Sequence, residues 1–135
     1  MKQVLTAKQV EGVFRRILNG GEVRRLPRSR KDTEVVLALA ASALDPREVY
    51  TEKGVNEVLA EWMSGFTDAA TMDHVTIRRY LVDGFFLLRD TGGKAYRTNQ
   101  VMINQVIEPE ARGVQPALIL EEVLLERARR KRKSP

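Results

Sequence analysis

The sequence predicts a mainly α-helical fold with one small β-hairpin, and three observations predict it. The chain opens on a capped amphipathic segment, Thr6 to Leu18. Two further helical tracts follow, near 33–44 and 52–63. Then, from Met72 to Arg97, an arginine-bearing helix passes through Asp83-Gly84 into FFLLRD, the glycine-rich Thr91-Gly92-Gly93-Lys94, and AYRT. A helix followed at once by a two-stranded wing is the second half of a winged helix-turn-helix, with two helices in place before it. The expected architecture is five helices and one hairpin at about 86–97: a winged helix-turn-helix-like core flanked by N- and C-terminal helices.

The first helix, 7–18, begins at a capping box in which Thr6 and Gln9 satisfy free backbone donors. Val10, Val13, Phe14, Ile17 and Leu18 form its apolar stripe, and Asn19-Gly20-Gly21 ends it. Arg24 to Arg30 with Pro27 reads as a basic connector. The tract TEVVLALAASAL (33–44) is apolar almost all round, which requires burial on more than one side. Asp45-Pro46 stops it, and Thr51 is the expected N-cap of a helix over 52–63 with Val55, Val58, Leu59 and Trp62 inward.

Gly65 breaks the chain, and Asp68 or Thr71 is the expected cap of the third helix of the core. At about 100° per residue, His74, Ile77, Leu81 and Phe85 share its inner face, while Met72, Thr76, Arg79 and Asp83 face outward. Arg78 falls inside the apolar sector, where an unpaired charge is strongly destabilising. It is therefore expected to be structural, paired with Glu57 or Glu61 of the preceding helix. Residues 99–108 alternate too weakly to choose between strand and loop. Pro109 and Gly113 mark a linker, and Pro116 opens a last helix rich in aliphatic side chains.

The 135 residues suit one domain with extensions, divided as 1–23, 24–98 and 99–135. A composition 43% hydrophobic and 30% charged is ordinary for a globular protein. No apolar run approaches the roughly 18 residues that span a bilayer, and MKQVLTAKQVEG lacks a secretory core, so a cytoplasmic protein with no membrane partner is expected. The absence of cysteine excludes disulfides and thiolate metal sites.

The net charge of +5 is local. The ending RARRKRKSP holds six basic groups and no acid, so the rest of the chain sums to 5 − 6 = −1. A second cluster comprises Arg24, Arg25, Arg28, Arg30 and Lys31. Such patches attract phosphate, and they are also common solvated helix ends.

Four tracts carry a family resemblance: RLPRSRK (25–31), VVLALAASAL (35–44), YTEKGVNEVLAEW (50–62) and TIRRYLVDGFFLLRD (76–90). With these, residues 24–97 resemble the DUF2087 family, met alone or appended to helix-turn-helix transcriptional regulators. SGFTDAATM, before the third core helix, is a longer insertion than the family pattern. The resemblance implies a winged-helix-like fold and a regulatory role. It supplies no ligand or reaction.

Catalysis is poorly supported, and no enzyme, cofactor or metal is expected. His74 is the only histidine, sits on an apolar face and has no second histidine or cysteine to complete a site. The glycine pairs are turn signals, and Glu121-Glu122 suits a solvated helix face. The leading expectation is a transcriptional regulator binding duplex DNA. Thr76, Arg79 and Tyr80 would face the groove, Arg89, Lys94 and Arg97 the wing contacts, and Arg28, Arg30, Lys31, Arg129, Arg130, Lys131 and Arg132 further phosphates. Asp73 and Asp83 on the same helix oppose this, and the alternative is a non-catalytic interaction or dimerisation module. Surplus apolar surface on the last helix predicts a homodimer through Ile119, Leu120, Val123 and Leu124. Nothing in the pattern specifies a small-molecule effector.

Overall fold

Capping chemistry sets most of the boundaries. The computed structural model describes residues 3–133, with Lys133 described only as part of the last helix. Met1, Lys2, Ser134 and Pro135, which the terminal readings include, lie outside the described residues. α1 (Ala7–Ile17) starts at the expected capping box, with Thr6 Oγ1 accepting from Gln9 N and Gln9 Oε1 accepting from Thr6 N. A 3₁₀ turn at Leu18–Gly20 closes it on Gly21, whose φ of 108° suits glycine.

α2 (Arg30–Ala41) starts three residues earlier than expected, because Ser29 Oγ accepts from Asp32 N and caps it. Arg30, expected at the end of the connector, thus opens a helical first turn together with Lys31. The helix stops at Ala41, and Ser42 to Leu44 tighten into i→i+3 bonds. Val35 through Ala41 are all buried, as an all-apolar helix requires.

α3 (Glu52–Ser64) begins at Thr51 as expected, with Thr51 Oγ1 accepting from Gly54 N. α4 (His74–Asp83) is capped by Asp73 and by neither Asp68 nor Thr71. Asp68 instead holds a separate turn, in which its carboxylate accepts from Ala70 N and its carbonyl from Met72 N. This insertion is folded against the core. Val23 and Thr67 form a parallel bridge, and Phe66 stacks edge-on against Trp62 and Phe14 at 4.8 and 6.1 Å. Met72, expected outward, is consequently buried.

β1 (Leu87–Arg89) and β2 (Tyr96–Thr98) pair antiparallel, with Leu87 opposite Thr98 and Arg89 opposite Tyr96. Their loop spans Thr91 to Lys94 as the sequence predicts, with Gly93 alone at positive φ, 68°. A third strand exists as a single bridge: Tyr50, between α2 and α3, exchanges both backbone bonds with Tyr96 at 2.8 Å.

Residues 100–106 form a helix, α5 (Gln100–Val106), capped by Asn99, so the undecided segment is neither strand nor loop. Ile103, Val106 and Ile107 pack inward at i, i+3, i+4, and exposed Val101 gives the false impression of alternation. A 3₁₀ turn at Pro109–Gly113 leads to α6 (Pro116–Lys133). The described residues therefore contain six α-helices, one more than expected.

One apolar core runs from Leu5 to Val123 and draws on all three sequence segments. Leu5 bridges Ile107, tying the N-terminal segment to the end of α5. α6 packs on α1 and the 3₁₀ turn after it. None of the helices is long and apolar enough to cross a membrane among the described residues.

Candidate nucleic-acid interface

α4 and the hairpin are joined by a tight C-terminal turn that fixes their relative direction. Phe86 N donates to Leu81 O and Phe85 N to Val82 O, the two bonds of a Schellman motif. The left-handed position of that motif, usually glycine, is Phe85 at φ 63°. Gly84, one residue earlier, has a different task. A Cβ there would stand 3.1 Å from the Phe86 ring and 3.2 Å from Tyr80 O. Phe86 thus takes the core position, and Phe85, expected on the buried face with Ile77 and Leu81, is 61% exposed.

The outer face of α4 carries Asp73, Thr76, Arg79, Tyr80 and Asp83, all exposed. Its charge is mixed. The Thr76 backbone N–H beside Asp73 holds that carboxyl below its ordinary range, so the cap is anionic. His74, at the first turn, is half-buried.

Arg78 points inward with a side chain 13% exposed. It donates to Asn56 Oδ1 at 2.5 Å and pairs with Glu52 at 3.3 Å. The expected carboxylate on α3 is therefore present, but it is Glu52 in the first turn instead of Glu57 or Glu61. Glu52 also accepts from the Tyr96 hydroxyl at 3.2 Å, so one carboxylate ties α3 to α4 and to the hairpin. Glu57 pairs with Lys53 of its own helix at 4.0 Å.

Alternation along β2 orients the wing cations. Tyr96 and Thr98 are buried, which turns Arg97 between them to solvent. Arg89 and Lys94 are also exposed, and none of the three has an ion pair among the described residues. Asp90 folds the loop by accepting from Lys94 N at 2.8 Å and Ala95 N at 3.2 Å. These bonds depress its carboxyl pKa.

The remaining basic candidates lie on other parts of the core. Arg28 and Lys31 are exposed at the start of α2, where Arg30 pairs with Glu34 at 3.7 Å and Arg24 with Asp68 at 3.9 Å. Arg129, Arg130, Lys131 and Arg132 are exposed on the last turns of α6. The structure thus brings α4 and the wing together and carries the tail on the α1 side of the molecule. Ile119, Leu120 and Val123 of the expected dimer face are buried in the chain's own core, because this side of α6 closes over α1. That part of the expectation is corrected, and only Leu124 remains exposed.

The family described as an uncharacterised protein conserved in bacteria, DUF2087, matches residues 22–98. The chain belongs to the DUF2087 family. The matched span runs from the Val23 bridge through Thr98, the last residue of the wing, so the insertion before α4 lies within the DUF2087 unit. No curated protein and no solved structure matches the chain.

Proposed function

We propose that this DUF2087 protein is a non-catalytic transcriptional regulator that binds duplex DNA through a winged helix. The Tyr50–Tyr96 bridge carries the reading. It gives α2, a rudimentary strand, α3, α4 and a hairpin, which is the element order of a winged helix-turn-helix. In that arrangement α4 enters a major groove with Thr76, Arg79 and Tyr80 toward base edges. The wing meets the backbone with Arg89, Lys94 and Arg97. The mixed charge of α4 makes the wing the main source of phosphate attraction, since three cations there face a single acid, Asp90. The basic groups at the start of α2 and the end of α6 would add attraction that carries no sequence information.

The test is binding of the intact chain to random-sequence duplex over a salt series. Affinity should fall linearly on a log–log plot, with a slope of about −0.9 for each phosphate neutralised. Undetectable binding at low salt removes the reading. It would favour the second one, a protein-interaction module, which rests on Asp73 and Asp83 bracketing Arg79 and on the exposure of Phe85 and Val101.

A further inference from the structure

The two sides of α6 differ in what covers them. Pro116, Ile119, Leu120 and Val123 are buried, and Arg15 of α1 engages both Glu122 and Glu126. Leu118, Leu124 and Leu125 are 50%, 48% and 57% exposed. At about 100° per residue Leu118 and Leu125 share a sector with Glu121, Ala128 and Arg132, roughly opposite the buried side, and Leu124 lies on its flank beside buried Leu120. Every residue from Leu124 to Arg132 is exposed, so the helix continues for over two turns with no core beneath it. Helical stability in proteins comes mostly from packing an apolar face, and beyond Val123 no described side chain of this helix is buried in the chain's own core.

The charge along this stripe is asymmetric. Glu121 stands near its beginning, and the cations of the helix, from Arg127 onward, stand at its end. Glu121 has no ion pair among the described residues. A parallel pair of such helices would oppose Glu121 to Glu121 and align both sets of cations. An antiparallel pair reverses this. With its two-fold axis between Leu124 and Leu125, Glu121 of one chain lies beside Ala128 and Arg132 of the other. Leu118 then lies level with the basic end of the partner helix, and Leu125 meets its copy near the centre. Like charges are separated and the unsupported turns gain a surface.

We infer that the protein is a two-fold homodimer held by antiparallel pairing of the outer face of α6. The interface is isologous, with each basic end lying along the beginning of the partner helix. The inference is independent of duplex binding. It assigns the exposed leucines to a second copy.

The chain has no cysteine, so single cysteines report the pairing directly. Sedimentation of the intact chain at micromolar concentration should give the dimer mass. Leu125→Cys, next to the axis, should form a cross-linked dimer on oxidation, and Leu118→Cys should not. Leu125→Glu, which sets a carboxylate against its own copy next to the axis, should raise the dimer dissociation constant at least about tenfold, with unchanged circular dichroism. Glu121→Arg should weaken the dimer, and Arg132→Glu in the same chain should restore it. A monomer mass at tens of micromolar overturns the inference, and so does a dimer insensitive to Leu125→Glu. Cross-linking through both Leu118→Cys and Leu125→Cys would replace it with a parallel pair. A monomer whose last turns gain amide protection only when duplex DNA is added would assign the face to nucleic acid.

Discussion

The carbonyl of Phe85 accepts the side-chain amide of Asn99 at 2.9 Å, which locks a bulky residue at φ 63°. The same Asn99 accepts from Met102 N to cap α5, and its own N–H donates to Phe86 O. Left-handed geometry costs a non-glycine residue roughly 1–2 kcal/mol. Phe85 is exposed, so its ring returns little burial energy. Phe85→Gly should therefore stabilise the protein by about 1 kcal/mol, whereas Asn99→Ala should destabilise it by about 1–2 kcal/mol through loss of the cap and the latch. Urea unfolding of the two variants decides it: a destabilised Phe85→Gly would mean that the ring contributes packing energy.

Arg78 and Arg79 are neighbours in sequence with opposite fates. Arg78→Ala removes a largely buried stem and the bonds to Asn56 and Glu52. Glu52 is itself half-exposed, so solvent screens the ion pair and the Asn56 bond and packing dominate. The expected loss is about 2 kcal/mol, against about 0.5 kcal/mol or less for Arg79→Ala at the surface. Equal melting temperatures for the two variants would contradict this.

Gly65, just after α3, lies against the first turn of α6. A Cβ there would come within 2.6 Å of Ala117 Cβ, and both sides are short and stiff. Gly65→Ala should destabilise by about 1–3 kcal/mol through overpacking. Adding Ala117→Gly should recover most of that loss beyond the helix-propensity penalty of the new glycine, about 1 kcal/mol. A double-mutant cycle with no coupling would show that the two elements move apart freely.

What was legible in the sequence is local chemistry. Thr6, Gln9 and Thr51 declare their helices because a cap bonds within three residues of itself. The hairpin loop sits at Thr91–Lys94 because its neighbours alternate. Features set by distant partners were not legible. Nothing near Arg78 distinguishes Glu52 from Glu57 or Glu61, since the choice depends on how α3 crosses α4 and on the Tyr96 hydroxyl. Phe85 belongs to the apolar face by periodicity and leaves it only because Gly84 is needed under the Phe86 ring. α5 is too short to establish a helical period, although Asn99 as an N-cap was a signal at the right place. The cationic candidates of the wing were identifiable by alternation, and the separate location of the tail was not.

The hairpin loop should respond to acid through Asp90. Lys94 and Ala95 N–H groups donate to its carboxylate and hold the folded pKa below the ordinary 3.8. A depressed folded pKa means the contribution is present above the unfolded value and is lost as pH falls through the folded one. Asp90→Ala should therefore be less stable than the natural protein at neutral pH, with the gap narrowing as pH drops below about 4. A gap independent of pH would mean that the loop does not depend on the charged form.

Phosphate contact and base contact on the proposed interface should separate under mutation. Arg89, Lys94 and Arg97 are exposed and unpaired, and their neighbours Leu87, Tyr96 and Thr98 hold the hairpin on the core. Replacing any one of the three by alanine should leave stability nearly unchanged. Each should weaken binding to all duplexes alike and reduce the salt slope by about 1, because each removes one phosphate contact. Arg79→Ala should instead alter preference among sequences, with a discrimination loss of about 1–3 kcal/mol at the bases it reads. Asp83→Asn removes a charge that repels the backbone and should tighten binding at low salt, with the gain vanishing as salt screens it. Fluorescence anisotropy across a salt series on random and selected duplexes measures all five variants. A wing triple variant that binds as tightly as the natural chain at every salt concentration would rule out the wing as the phosphate-contacting element.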